Sequence, residues 1–333
     1  MKIGLTLGKY SPFHKGHQHL IETAISEMDH VIAIIYNSPE TTTIPLQIRA
    51  GWIRKLYPNV EVIEAWDGPT IIGNTPDIKK LHEDYILNKL GEVNISAFYS
   101  SEFYGDHVSQ ALSAINKIVD RKTIDISGTQ IRKDFFKHRS FLHPFVYKDF
   151  ITNVVFLGAP STGKTTIAKI LGERYETKWM PEYGRSYWKK NNINRRLSKE
   201  QLLEIATDHL KKEDQLVYES KEYLFTDTNA TTTFMFGRYY HSKVLKELQE
   251  LAQSTEKRYD LWFLCSDDIP YEDTWDRSGE LNRTLFQFEI EADLKARKTP
   301  YIRLSGNLDQ RIDKVSAVLS KFNKFESIIA NNI

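Results

Sequence analysis

The sequence is poor in cysteine, with Cys265 as the single one in 333 residues. One thiol excludes an intramolecular disulfide, and there is neither a CxxC pair nor a zinc spacing. Neither sign of charge is in excess, because the sequence has 45 Lys and Arg and 44 Asp and Glu, which gives a net charge of +1. Such a balance lacks the basic surplus that drives non-specific nucleic-acid binding. We expect a reducing compartment and anion sites formed locally.

Long apolar runs are absent as well. The run in "MKIGLTLGKY" is broken after a few residues, which is too short for a signal peptide, and no stretch approaches membrane-spanning length. A chain of 333 residues suits two domains of ordinary size. We therefore expect a cytoplasmic protein with two domains and with neither membrane nor nucleic acid among its partners.

Short β-type runs alternate with helical patterns through both halves, which predicts α/β domains with mainly parallel sheets. In the first half the predicted strands are "KIGLTL", "HVIAIIY", "VEVIEAW", "ISAFYSS" and one near "KTIDI". The segment "KHRSFLHPFVYKDF" has no clear period and contains a proline, so we expect the domain junction there. The run "NVVFLG" restarts the alternation.

The second half contains "GAPSTGKT", which fits the phosphate-loop pattern G-x-x-x-x-G-K-[ST] between an apolar run and a helical segment. Backbone N–H groups of such a loop surround phosphate oxygens, the lysine reaches the β and γ phosphates, and the hydroxyl holds Mg²⁺. The sequence therefore predicts a nucleotide and Mg²⁺ site. Its candidate residues are Gly158, Ser161, Thr162, Gly163, Lys164, Thr165 and Thr166.

Two carboxylates follow predicted strands in this half. Asp227 ends the strand "EYLFTD", where it can reach the metal, although an aspartate there also reads as a helix N-cap. Glu182 in "TKWMPEYGRSYW" can accept a proton from a substrate hydroxyl or hold a ribose, with surface solvation as the alternative. The sequence leaves open which carboxylate is the base and which organises Mg²⁺.

Further substrate contacts are predicted nearby. Tyr183 belongs to an aromatic cluster that suits stacking on a flat base or core packing, and Arg185 is predicted to cross the same cleft. The polar segment "YEDTWDRSGELNR" contains Arg277 and Arg283, which we expect on a lid that approaches the transferring phosphoryl. A charged loop without function would look the same. The absence of N-K-x-D after the P-loop weakens the GTPase alternative.

The first half begins with "LGKYSPFHKGHQHL", a strand-to-helix turn with an H-x-G-H spacing. His14 and His17 would lie beside a helix N-terminus and face whatever anion it binds. Zinc is the alternative, but no third ligand is evident, and the glycines Gly8 and Gly16 favour close phosphate approach. Lys9 would add a cation.

A second small polar turn, "ISGTQIR", follows at residues 126–132. Ser127 and Thr129 can bind phosphate oxygens, and the guanidinium of Arg132 can bind a polyphosphate through two parallel hydrogen bonds. Two anion-binding turns in one α/β domain predict a triphosphate held across the strand ends.

H-x-G-H together with I-S-x-T-x-I-R resembles the nucleotidylyltransferase superfamily, and "GKYSPFHKGH" resembles its nicotinamide-mononucleotide adenylyltransferase branch. With "SSEFYGD", the P-loop, "PEYGRSYW" and the "DIPYEDTWDR" region, the likeness to the bifunctional NadR family extends along nearly the whole chain. It implies a Rossmann-like nucleotidylyltransferase domain over 1–145 and a P-loop kinase domain over 150–333. Some members begin with a DNA-binding helix-turn-helix domain; because strand one is predicted from residue 2, we expect this chain to lack that domain and not to act as a DNA-binding repressor.

The resemblance also implies the chemistry. The second domain would phosphorylate nicotinamide riboside with ATP, and the first would convert the mononucleotide and ATP to NAD and pyrophosphate, with His14, His17 and Arg132 stabilising charge. Trp66 would stack on nicotinamide and Arg49 would contact substrate phosphate, although core packing and a plain helix face explain them equally well. A homo-oligomer is suggested by the family alone.

Two alternatives remain at this stage. The protein could sense NAD or ATP without turnover, or only one of the two domains could be active. Retention of Lys164 with Thr165, and of His14 with His17, favours turnover because binding alone could dispense with some of them.

Overall fold

The computed structural model describes residues 1–71, 73–101, 105–120, 123–191, 197–241, 243–271 and 280–325. The chain divides into two compact units between Tyr147 and Lys148. Each unit has one five-stranded sheet with parallel pairing and helical connections, so the predicted α/β class is confirmed. No helix within these ranges combines the length and apolar character needed to cross a membrane.

The first unit has its sheet in the order β3-β2-β1-β4-β5. Its strands are β1 (Ile3–Gly8), β2 (His30–Tyr36), β3 (Glu61–Ala65), β4 (Ala97–Ser100) and β5 (Ile115–Ile118). Its helices are α1 (Lys15–Glu27), α2 (Leu46–Leu56), α3 (Pro76–Leu90), α4 (Gly105–Ala111) and α5 (Gly128–Lys133), with a 3-10 turn at Arg139–Phe141 and α6 (Pro144–Lys148) at the division. Strand β1 pairs with both β2 and β4, so the order reverses there and leaves a crevice at the carboxyl ends.

The second unit repeats this design in the order β10-β9-β6-β8-β7. Its strands are β6 (Thr152–Leu157), β7 (Trp179–Met180), β8 (Tyr223–Asp227), β9 (Leu261–Cys265) and β10 (Ile302–Leu304). Its helices are α7 (Lys164–Arg174), α8 (Tyr183–Asn191), α9 (Lys199–Glu219), α10 (Ala230–Tyr240), α11 (Lys246–Ser254), α12 (Glu280–Ala296) and α13 (Leu308–Leu319), with a 3-10 turn at Thr255–Lys257.

Central strand β6 is buried on both faces. Val154 and Phe156 pack into one hydrophobic cluster, while Val155 and Leu157 pack into another on the opposite side. Alternation with period two sends successive side chains to opposite faces, and a parallel sheet covered by helices makes both faces apolar. This explains why the strand reads as one continuous apolar run.

One predicted strand is wrong. Residues 123–126, the described part of the run near "KTIDI", form no strand, and the fifth strand is β5 at Ile115–Ile118. Strand β5 pairs with β4 from Ala97↔Ile115 to Ser100↔Ile118. A neighbouring strand therefore decides the pairing, whereas the β-type residues at 123–126 lead into the loop before α5.

Candidate nucleotide-binding sites

A cavity of about 620 Å³, the first cavity, opens in the first unit where β1, β2 and β4 end. It gathers both polar turns singled out in the sequence, although they are more than 100 residues apart in the chain. The predicted residues that line it are Gly8, Lys9, His14, Gly16, His17, Ser127, Thr129 and Arg132. Its place at the reversal of strand order is where open α/β sheets bind ligands.

His14 and His17 cap α1 reciprocally. The Nδ1 atom of His14 accepts from the backbone N–H of Gly16 at 3.1 Å, and the backbone N–H of His14 donates to Nδ1 of His17 at 3.4 Å. The two rings stack with centroids 3.8 Å apart. Because each Nδ1 accepts, these bonds assign the proton of the neutral ring to Nε2. The pair thus closes the helix end and keeps an Nε2–H donor on each ring.

The zinc alternative for these histidines needs further ligands. Among the residues that the structure describes, no three His, Cys, Asp or Glu side chains form a group that could hold a metal ion.

The second turn packs directly on the first. The backbone carbonyl of Ser11 accepts from Nη1 of Arg132, whose Nη2 donates to Oγ1 of Thr129 at 3.0 Å. A Cβ atom on Gly128 would lie 2.7 Å from that same Ser11 oxygen, so only glycine allows this approach. Ser127 is the N-cap of α5. The carbonyl of Ser11, in the first turn, is therefore the point at which the second turn contacts the first.

Lys9 is held at the cavity wall by two oxygens. Its Nζ lies 2.8 Å from Oε1 of Glu40 and 2.9 Å from Oγ1 of Thr41. The hydrogen bond from Lys9 lowers the pKa of the Glu40 carboxyl. The ammonium is thus positioned beside the histidines, and Glu40 and Thr41 line the same cavity.

Arg49 and Trp66, both predicted to bind substrate, are not brought to the first cavity. Arg49 is 1 % exposed, and its guanidinium donates to three backbone carbonyls. Those carbonyls belong to Lys9, Tyr36 and Ile44. Trp66 is 49 % exposed and its indole N–H donates to Glu64 at 3.1 Å. Arg49 supports the loop that carries Lys9, because its face of α2 turns inward.

A cavity of about 600 Å³, the second cavity, lies in the second unit beside the P-loop. The predicted residues that line it are Gly158, Ser161, Thr162, Gly163, Lys164, Thr165, Thr166, Glu182 and Arg185. Gly158 has φ +144°, and a Cβ there would lie 2.6 Å from the carbonyl oxygen of Cys265. The loop therefore requires glycine where it leaves β6.

Hydrogen bonds within the protein orient the side chains of the P-loop residues Lys164 and Thr165. Nζ of Lys164, a buried side chain, donates to the carbonyl of Ala159 at 2.8 Å. Oγ1 of Thr165 donates to Oδ2 of Asp227. Both side chains start from the N-terminus of α7, which adds partial positive charge for an anion.

Asp227 is completely buried, and its Oδ1 has no hydrogen-bond partner in the described part of the chain. Burial and then the negative charge of Glu182 raise the pKa of Asp227 to about 6. The helix-cap alternative is wrong, because the N-cap of α10 is Asn229, whose Oδ1 accepts from two backbone N–H groups. Glu182 lies 3.6 Å from Nε of Arg185. Two carboxylates therefore lie close together beside the P-loop.

Three long side chains hold the back of the P-loop, and the sequence predicted none of them in that role. Arg283 donates to the carbonyl of Ser161 at 3.1 Å, and Arg311 donates to the carbonyl of Thr162 at 2.8 Å. Gln287 accepts from the N–H of Ala159 at 2.8 Å. We call Arg283, Gln287 and Arg311 the P-loop clamp. The signal that could have identified them is their position on the faces of α12 and α13 that pack inward.

Two further predicted contacts, Tyr183 and Arg283, are not among the residues that line the second cavity. Arg283, expected on a lid, is 5 % exposed and donates to the carbonyls of Ser161 and Ile269. Tyr183 packs against the core, with its hydroxyl 3.4 Å from Asp208. Arg277 lies outside the described residues. The helical period that places Arg283 on α12 turns it toward the P-loop backbone rather than toward solvent.

Family models match both units. A cytidylyltransferase-like model matches residues 5–134, and an AAA-domain model matches residues 153–311. The chain is 25 % identical over 336 residues to the trifunctional NAD biosynthesis/regulator protein NadR of Escherichia coli strain K12, covering 91 % of this chain and 78 % of the relative.

Solved structures agree in fold. A NadR protein in complex with NR superposes with a TM-score of 0.56 at 23 % identity, over 96 % of this chain and 95 % of that one. A NadR protein in complex with NAD and AMP-PNP gives 0.55 at 22 % identity over the same shares. The two family models match the two units in order, and the likeness to NadR covers 91 % of the chain. The chain is therefore a NadR-type protein, in which a cytidylyltransferase-like unit is followed by an AAA-type P-loop unit.

Proposed function

We propose that this chain carries out two consecutive steps of NAD biosynthesis. The second unit, over 150–333, phosphorylates nicotinamide riboside with ATP. The first unit, over 1–145, joins the resulting mononucleotide to ATP and releases pyrophosphate. The observation that carries the proposal is the presence of two cavities, each walled by the residues of its own phosphate-binding motif.

In the first cavity the attacking group is the phosphate of the mononucleotide, so no protein nucleophile is needed. The Nε2–H donors of His14 and His17 stabilise charge that develops on the ATP phosphates at the reacting phosphorus. Lys9 and Arg132 add fixed positive charge, and Ser127 with Thr129 grips the outer phosphates. Because the two histidines and Arg132 are held by hydrogen bonds with backbone atoms before substrate arrives, little reorganisation is required.

At the second cavity the Mg²⁺ site of the proposal consists of Thr165, which lines the cavity, and the buried Asp227 to which Thr165 is hydrogen-bonded. The site fits this ion, because Mg²⁺ takes oxygen ligands and Oδ1 of Asp227 is buried without a partner in the described ranges. Thr165 and Asp227 would hold the ion, which would supply positive charge that offsets the charge of the phosphates. Lys164 moves from the carbonyl of Ala159 to the β and γ phosphates.

The two carboxylates take different roles in this proposal. Glu182 is partly exposed and lines the cavity, so it can reach a substrate hydroxyl and accept its proton. Asp227 is buried and bonded to the P-loop threonine, so it serves the metal. Arg185 balances the charge of Glu182 next to the transferred phosphoryl. We place the protein in the cytoplasm, where both nucleotides are available.

The test assays the purified protein separately for each step with Mg²⁺ present. Nicotinamide riboside with ATP is followed for the mononucleotide, and the mononucleotide with ATP is followed for NAD and pyrophosphate. The proposal expects both products. Absence of either product contradicts the assignment of the corresponding unit.

A further inference from the structure

His209 lies on α9 and lines the second cavity, although no motif pointed to it. Its side chain is enclosed, since the residue is 3 % exposed. The Nε2 atom is buried and has no hydrogen-bond partner among the described residues. Buried polar atoms in proteins are almost always paired, because water is no longer available to them. Because His209 lines a binding cavity, a bound ligand can supply the partner that Nε2 lacks in the described protein.

The neighbours of His209 explain what such a ligand looks like. One and two turns earlier on the same face of α9 lie Ile205 and Leu202, which also line the cavity. The aromatic residues of the lining are Trp188, Phe236, Tyr240 and Tyr271. An apolar wall rich in aromatic rings suits a flat ring, and it suits a cationic one such as a pyridinium particularly well.

The imidazole brings a donor and an acceptor but no charge. Burial lowers the pKa of His209 to about 4, and the positive charges of Arg258 and Lys212 act in the same direction. The ring is therefore neutral at physiological pH. The next acid along the helix, Glu213, is already engaged, because it accepts from Arg258, Tyr259 and Thr226.

The charged residues of the cavity lining lie at its phosphate end. Lys164 belongs to the P-loop, and Arg185 lies beside Glu182, whose charge acts on Asp227 next to that loop. None of these cations is on the stretch of α9 that carries Leu202, Ile205 and His209. The two cations whose charge acts on His209 are already engaged, Arg258 by Glu213 and Lys212 by the ring of Tyr183. A carboxylate beside His209 would therefore lose water without gaining a free cation.

We propose that His209 hydrogen-bonds the carboxamide of nicotinamide riboside and makes the second unit select this riboside over nicotinate riboside. This assignment depends on the proposed kinase function of the second unit. A primary amide has N–H donors and a carbonyl acceptor, so it can pair with Nε2 of the neutral imidazole in either tautomer. A carboxylate offers only acceptors and a negative charge, which the enclosed apolar wall disfavours.

The test compares the wild-type protein with the variants His209→Leu and His209→Asn, using both ribosides as kinase substrates. His209→Leu should raise KM for nicotinamide riboside about tenfold, the usual effect of one lost hydrogen bond, with smaller changes in kcat and in KM for ATP. KM for nicotinate riboside should hardly change, so the preference for the amide falls about tenfold. His209→Asn keeps a donor and an acceptor and should retain more of the preference.

A matched control is His241→Gln. His241 belongs to the same unit, but its Nε2 is already hydrogen-bonded at 2.8 Å to the carbonyl of Leu197. This variant should leave the ratio of the two ribosides unchanged. Because Nε2 of His209 has no hydrogen-bond partner among the described residues, His209→Leu should also keep the thermal stability of the protein and its stabilisation by ATP, which shows that the unit remains folded.

The possible outcomes distinguish a failure of the role of His209 from a failure of the proposed kinase function. An unchanged ratio in His209→Leu, whether activity is intact or equally reduced for both ribosides, overturns the role of His209, and so does a wild-type preference for nicotinate riboside. A wild-type protein that phosphorylates neither riboside contradicts the proposed kinase function itself, and the assignment of His209 falls with it.

Discussion

Replacing Asp227 by asparagine should stabilise the second unit while abolishing its kinase activity. Burial and the charge of Glu182 raise the pKa of Asp227 from 3.8 to about 6. At about 1.36 kcal/mol for each tenfold change in acid dissociation, the ionised side chain costs the folded state about 3 kcal/mol at neutral pH. An asparagine oxygen can still accept from Thr165, but it carries no charge and binds Mg²⁺ poorly.

The difference between the pKa of Asp227 in the folded and in the unfolded chain also determines how the stabilisation by Asp227→Asn depends on pH. Below pH 4 Asp227 is protonated in both the folded and the unfolded chain, so the substitution gains nothing there. As pH rises from about 4 to about 6 only the unfolded chain releases the proton readily, so wild-type stability falls and the advantage of Asp227→Asn grows. Above pH 6 the advantage is complete.

Urea unfolding at several pH values measures this effect, with the transition of the first unit as an internal reference. Asp309→Asn is the control, because Asp309 is an exposed aspartate on α13 of the same unit and its replacement should change stability by no more than about 0.5 kcal/mol. A variant Asp227→Asn that is less stable than wild type at pH 7, or whose gain does not vary with pH, refutes the reasoning. Retained kinase activity refutes the metal-binding role.

Two further changes test the two cavities separately. His17→Ala should lower adenylyl transfer by about 10²–10³-fold through loss of a charge-stabilising donor, while riboside phosphorylation stays unchanged; near-normal NAD formation from the mononucleotide contradicts this role. Arg311→Met should impair the kinase beyond its loss of stability, because the carbonyl of Thr162 is released. Arg297→Met is the control, since Arg297 is half-buried and paired with Asp293 in the same unit but its hydrogen bonds go to Asp293 and Ala252 and not to the P-loop. Equal kinase losses in both variants contradict the clamp.

The residues of short motifs were predictable because each motif combines its chemistry with local geometry. H-x-G-H requires a strand-to-helix turn, and the parallel order of the sheet then brings it to the carboxyl edge shared with Ser127 and Arg132. The P-loop carries its own strand and helix in the same way. Asp227 was ambiguous in the sequence, since an aspartate at a strand end looks like a helix cap until Asn229 is seen to occupy that position.

Arginines were harder to assign, because the sequence does not show which way a helix face turns. Arg132 reaches the first cavity, whereas Arg49 turns inward to backbone carbonyls. Arg311 and Arg283 contact the P-loop across more than 100 residues, so no local pattern predicts them. His209 reads as one more position on an amphipathic helix until the cavity and its unpaired nitrogen are seen.

The most direct test of two consecutive activities in one chain is a time course from nicotinamide riboside, ATP and Mg²⁺ with the wild-type protein and Lys164→Met. The wild type should form the mononucleotide first and NAD after it. Lys164→Met should form no NAD from the riboside but should form it normally from added mononucleotide. NAD production from the riboside by Lys164→Met, or no NAD from either substrate in the wild type, would contradict the account.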